Sequence, residues 1–253
     1  MHGAIIILYF VVETIGGHAT HVTPAKIIGG QPIDIKHRPF MLSLHNSQGF
    51  LCGASILRKS WSITALHCLD TTSPTKYYVR AGSNKTNTGG SVHKVTKIYV
   101  YNDSYISSFS SVPYHDIALI KVSPPFCFSR NIAPIRLQFL STEPRLLFIS
   151  GWGQTEKEKK AKTLMSVRVR HVPYETCIKT SSIYANLVRK DNHLCYGTRG
   201  HDACYGDSGG PLTSWRTLFG IVSFGVGCGK VTGVYVKVSY YQTWIRKVIL
   251  GKL

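Results

Sequence analysis

The segment Tyr205-Gly206-Asp207-Ser208-Gly209-Gly210-Pro211 sets three glycines, a proline and an acid around one serine. Glycine weakens helix and strand interiors and proline removes a backbone donor, so these residues suit a tight loop. Such a loop can present a serine hydroxyl while turning backbone N–H groups inward beside it. Acyl transfer needs that pairing: a nucleophile, and donors next to it for the oxyanion that forms on attack. The competing explanation is a glycine-rich surface turn without chemistry. A serine becomes a useful nucleophile only when a base takes its proton and a further group orients the base.

Both partners are present in the chain. Thr64-Ala65-Leu66-His67-Cys68 places a histidine beside a cysteine after an apolar run, and Tyr114-His115-Asp116-Ile117-Ala118-Leu119-Ile120 places an aspartate at the entrance to a hydrophobic strand. Singly, His67 could be a strand-end histidine and Asp116 a strand cap. With Ser208 they give the order His, Asp, Ser, and from Ile27 to the C-terminal helix the chain resembles the trypsin/chymotrypsin family of serine endopeptidases. The resemblance implies an all-β fold of two packed six-stranded antiparallel barrels with a C-terminal helix, the cleft lying between them. It also implies roles: Ser208 as nucleophile, His67 as base and then acid, Asp116 as its orienting carboxylate, and the amides of Gly206 and Ser208 as oxyanion hole. Leu66 departs from the alanine usual there.

The same resemblance extends to activation and specificity. Cleavage between Lys26 and Ile27 would free an α-amine ahead of Ile28-Gly29-Gly30, and in the family that amine pairs with the acid preceding the serine, here Asp207. Asp202, six residues before Ser208, matches the base of the primary pocket of trypsin-like members, where a carboxylate selects arginine or lysine. Ser223, Gly225 and Gly233 match the pocket walls. Phe224 replaces the usual tryptophan and Tyr205 stands where glutamine is commoner, with room to narrow the mouth. The reading is of an endopeptidase cutting after Arg or Lys; the alternatives are chymotrypsin-like or mixed preference, or a non-catalytic homologue acting as a binding module.

Residues 1–19 read as a signal peptide: Ile5–Val12 is apolar but too short to span a membrane, and small residues follow. Residues 20–26 then form an activation propeptide and 27–253 the protease domain, so the expected location is extracellular. Seven cysteines suit an oxidising compartment. Spacing leaves the connectivity open; the family pattern implies Cys52–Cys68, Cys177–Cys195 and Cys204–Cys228. Cys127 is left over and is expected as a buried small apolar thiol.

Short β-branched or aromatic runs separated by Gly, Pro, Ser and Asn predict strands at Phe40–Leu44, Trp61–Ala65, Tyr77–Arg80, Val92–Val100, Ile117–Val122, Met165–Val172, Phe219–Phe224 and Gly233–Val238. Only Tyr241–Leu250 reads as helix. Thirty Lys and Arg against twelve acids give a net charge of +18. No nucleic-acid-binding motif accompanies that charge, so the expected partners are protein or peptide substrates, protein protease inhibitors and acidic glycans, with no nucleic acid, no membrane span and a monomeric chain. The stretch from Thr71 to Asn102 holds no acid and the histidines lack ligand spacing, so no metal or cofactor is expected. Asn84-Lys85-Thr86 and Asn102-Asp103-Ser104 are glycosylation sequons.

Overall fold

The computed structural model describes residues 30–101, 112–140, 142–154, 161–198, 203–227 and 231–252. The expected cleavage bond, the sequon at Asn102, Asp202 and Cys228 lie outside them. Within them the chain is mostly strand, because runs such as Ala118–Ser123 put β-branched and apolar side chains where both faces can be covered.

Fourteen strands form two closed units. In the first half these are β1 (Gln31–Pro32), β2 (Met41–Asn46), β3 (Gly49–Arg58), β4 (Trp61–Thr64), β5 (Tyr78–Ala81), β6 (Ser91–Val100) and β7 (Ala118–Ser123). The second half holds β8 (Arg136–Leu137), β9 (Leu146–Gly151), β10 (Met165–His171), β11 (His193–Gly197), β12 (Pro211–Ser214), β13 (Thr217–Phe224) and β14 (Gly233–Lys237). Strands β2-β3-β4-β7-β6-β5 close one antiparallel six-stranded barrel; β9, β10, β11, β14, β13 and β12 close the other, with β1 and β8 added at its margins. The two-barrel expectation holds.

Each barrel fills its interior with its own side chains. Leu42, Ala54, Ile63, Val79 and Leu119 are buried in the first; Leu147, Ile149, Val167, Leu212 and Tyr235 are buried in the second. The closing helix α3 (Gln242–Ile249) follows two four-residue turns, α1 (Tyr174–Cys177) and α2 (Tyr184–Leu187). It buries Trp244, Ile245 and Val248 against the first core and leaves Arg246 and Lys247 in water, each apolar side chain contributing about 1.5–3 kcal/mol.

Asn84 is one tie between the halves. Its side-chain oxygen accepts from Ile35 N at 2.6 Å, while its backbone carbonyl accepts from Trp152 Nε1 at 2.7 Å and Leu164 N at 2.8 Å. The sequon residue is therefore half-buried and engaged in the interbarrel packing.

Disulfides join Cys52 to Cys68 and Cys177 to Cys195. Cys204 is also disulfide-bonded. The thiol expected to be buried is not: Cys127 is free and exposed. Phe126, only 1% exposed, takes the inward position after β7, and the side chains of Cys127 and Phe128 then face out. Among the described residues no helix is long and apolar enough to cross a membrane.

Candidate active site

Three segments meet where the barrels touch. His67 sits in a one-turn helix, Leu66–Cys68, immediately after β4, and the Cys52–Cys68 bridge clamps that turn to β3. Asp116 lies just before β7, fully buried. Its carboxylate receives His67 N at Oδ1 (2.9 Å) and His67 Nδ1 at Oδ2 (2.7 Å). Ser223 Oγ, from β13 of the other barrel, donates to Oδ2 at 2.5 Å. Three donors satisfy the buried carboxylate, and as an acceptor it fixes the proton on Nδ1. Nε2 is then the nitrogen free to take a proton.

Burial lowers the proton affinity of the His67 imidazole, but the hydrogen bond and charge of Asp116 outweigh it and hold the pKa above its ordinary 6.5. Its side chain is 23% exposed, enough to face the cleft. Because a base must be neutral, kcat/KM should fall as pH drops through that raised pKa. The predicted acid limb has its midpoint above 6.5 in a pH profile with a short peptide; a midpoint below 6.5 would contradict the ion-pair geometry. The sign for stability is opposite: the pair contributes fully below 6.5, and its contribution is lost as pH rises through the folded value.

The serine loop is held from both barrels. Ser208 O accepts from Gly53 N of β3 at 2.8 Å, Gly209 N donates to Val222 O at 2.9 Å, and Gly210 N donates to Asp207 O at 2.8 Å. Gly209 has φ +73°, and a Cβ there would lie 2.1 Å from Thr64 Oγ1, so only glycine lets the loop approach the first barrel. Gly206 has φ +93°. Neither its amide nor that of Ser208 donates a hydrogen bond among the described residues. Two unspent N–H groups beside a serine are what a forming oxyanion requires. Ser208 Oγ makes no hydrogen bond to His67 in this structure; such bonds often tighten only with substrate bound.

Asp207 points the other way. Its side chain is completely buried, accepts from Gly153 N (2.9 Å) and Cys204 N (3.0 Å), and meets no cation among the described residues. Burial pushes its pKa up to about 6 despite those donors. Gly153 is required here, since a Cβ would come within 2.5 Å of the carboxyl carbon.

Beside Ser208 opens a cavity of 280 Å³ whose walls include Ala203, Ser223, Gly225 and Gly233. A Cβ on Gly225 would stand 3.8 Å from Gly233 Cα, so side chains at these two positions would narrow the opening. Tyr205 lines the same cavity and is 77% exposed. Phe224 packs edge-on against Tyr184 and His193. Asp202, one residue before the wall residue Ala203, lies outside the described residues.

Sequence reasoning missed three contributors: Gly53, which receives the serine loop; Gly153, which donates to Asp207; and the Ser223 hydroxyl bonded to Asp116. Glycines flanking Trp152 were the only visible signal for one of them. Among the described residues, Cys52, His67 and Cys68 form the single cluster with metal-ligand proximity. Both sulfurs are spent in one disulfide and cannot serve as thiolates.

The chain matches the family model described as Trypsin over residues 27–245. It is 33% identical to trypsin alpha of Drosophila melanogaster across 95% of this chain and 96% of that one. It is 32% identical to trypsin 5G1 of Aedes aegypti across 88% and 85%. Among solved structures it is similar to neuropsin, a serine protease of mouse brain, with TM-score 0.78 and 28% identity over 87% of this chain and 98% of that one. The scabies mite inactivated protease paralogue S-D1 matches with TM-score 0.79 and 27% identity over 89% and 98%.

Proposed function

The chain belongs to the trypsin family of serine proteases, and within that family we propose a secreted endopeptidase, synthesised with a signal at 1–19 and a propeptide at 20–26, that cleaves after Arg or Lys once cut at Lys26–Ile27. The observation that carries the catalytic reading is the buried Asp116 holding His67 by both backbone and ring nitrogens, with the Ser208 loop docked on Gly53. Ser208 Oγ attacks the scissile carbonyl as His67 Nε2 takes its proton; the amides of Gly206 and Ser208 receive the oxyanion. The imidazolium, stabilised by Asp116, then protonates the leaving amine, and water repeats the sequence on the acyl-enzyme.

Specificity is assigned to Asp202, which stands six residues before Ser208 in the sequence, matching the pocket base of trypsin-like members, beside a cavity with glycine walls. A long cationic side chain entering the cavity would meet that carboxylate out of water, where an unpaired charge is strongly disfavoured. Asp202→Ala should lower kcat/KM for an arginine peptide by about 10²–10³-fold, as expected when a buried pair is broken, and leave a phenylalanine peptide little changed. Equal losses on both peptides would remove Asp202 as the determinant.

The similarity to a structure described as an inactivated paralogue favours one second reading, a protease-shaped binding module. His67, Asp116 and Ser208 are all present here, which supports the catalytic reading.

A further inference from the structure

Part of the charge excess of the chain is built into the fold. Arg38 is buried, 8% exposed, yet it has no carboxylate partner among the described residues. Its Nε donates to Ser150 Oγ (3.2 Å) and its Nη1 to the His37 carbonyl (3.0 Å), both uncharged acceptors, and its guanidinium lies 5.3 Å from the Phe148 ring centroid. Desolvation lowers its proton affinity without an anion to offset it. Nη2 makes no hydrogen bond among the described residues.

Arg38 lines a surface groove of 520 Å³ together with Arg168 and Arg170, and no acidic residue lines it among those described. The strand register explains the grouping. Arg168 pairs across from Phe148 and Arg170 from Leu146 on the outer face of β9 and β10, so two exposed guanidinium groups rise on the face where the Phe148 ring meets Arg38. A buried cation and two exposed forks around one groove make a receptor for a multidentate oxyanion, since guanidinium matches sulfate and phosphate with paired donors.

We propose that this groove is an anion subsite that takes a sulfate group of a sulfated glycan. Sulfate stays fully ionised and supplies several acceptor oxygens to converging donors. A nucleic-acid strand would also need exposed aromatic faces for its bases, and the aromatic ring in this groove, Phe148, is occupied by Arg38. The subsite lies outside the catalytic residues, so glycan binding and hydrolysis are separable.

The test is calorimetric titration of the purified protein with a heparin-derived tetrasaccharide in 0.15 M salt. The double variant Arg168→Ala/Arg170→Ala should bind about tenfold more weakly or worse, the loss expected for two charge-assisted contacts, with peptide hydrolysis unchanged. Arg58→Ala/Lys59→Ala removes the same charge from exposed positions at the β3–β4 turn and should bind within about twofold of wild type, because diffuse surface charge is screened. Equal losses in the two double variants, or none in the first, would overturn the subsite. So would undiminished binding of a desulfated tetrasaccharide. Competition by a single-stranded oligonucleotide of matched charge, as strong as that of the tetrasaccharide itself, would overturn the assignment to sulfate.

Discussion

Ser208→Ala should lower the turnover of a short peptide substrate by about 10⁶-fold, by analogy with other serine triads. The variant should unfold at the wild-type urea midpoint, because the loop is fixed by backbone contacts: Ser208 O to Gly53 N, Gly209 N to Val222 O and Gly210 N to Asp207 O. His67→Ala should cost about as much, and the double variant scarcely more, since nucleophile and base act as one unit. A residual advantage over water of about 10³–10⁴ should persist, supplied by the amides of Gly206 and Ser208 and by substrate binding. Retention of more than a few per cent of activity in Ser208→Ala would mean that the hydroxyl is not the attacking group.

The second large effect concerns Lys26→Gln, which should leave a folded chain at least about a thousandfold less active than cleaved wild type. The reason is Asp207. Its buried carboxyl has two amide donors and no cation among the described residues, whereas a freed Ile27 amine would supply the missing charge. Breaking or lacking such a buried pair costs about 3–5 kcal/mol. That energy acts on the segment from Gly206 to Ser208, whose amides are the proposed oxyanion donors. In the uncleaved chain the Asp207 pKa is raised from 3.8 to about 6. A raised folded value means that its contribution to stability is complete below 3.8 and is lost as pH climbs to about 6, a change on the order of 3 kcal/mol. Urea midpoints of Lys26→Gln and cleaved wild type should therefore nearly coincide near pH 4 and separate above pH 6, the cleaved form being the more stable. A separation independent of pH would disconnect Asp207 from activation.

Much of this architecture can be read from residue patterns, and the gaps have physical causes. Strands with period-two alternation, such as Met165–His171, or with a short apolar run, such as Ala118–Ser123, stand out. Strand β3 does not, because Gly49–Arg58 is buried along most of its length and interrupted by Gly53, so neither alternation nor an unbroken apolar run marks it. Strand β12 is hidden because it begins at Pro211, the last residue of the serine loop, where glycine and proline signal a turn. Strand β11 opens on a buried histidine whose ring nitrogen accepts from the Arg189 amide, a partner visible only in three dimensions. His67, Asp116 and Ser208 were legible by type and order. The Ser223 bond to Asp116 was not, since it joins residues 107 apart across two barrels. Cys127 was misjudged because a free thiol is usually buried; the neighbouring Phe126 occupies the inward position instead.

The most direct measurement of the central claim uses protein cleaved at Lys26–Ile27 and four short peptides that differ only in the residue before the scissile bond: Arg, Lys, Phe and Leu, with Ser208→Ala as blank. The expected result is strong hydrolysis after Arg and Lys and little after Phe or Leu. Preference for Phe or Leu would keep the Ser208–His67–Asp116 chemistry and contradict the pocket assigned to Asp202. Hydrolysis no higher than the blank, in folded and correctly cleaved protein, would contradict the catalytic reading itself.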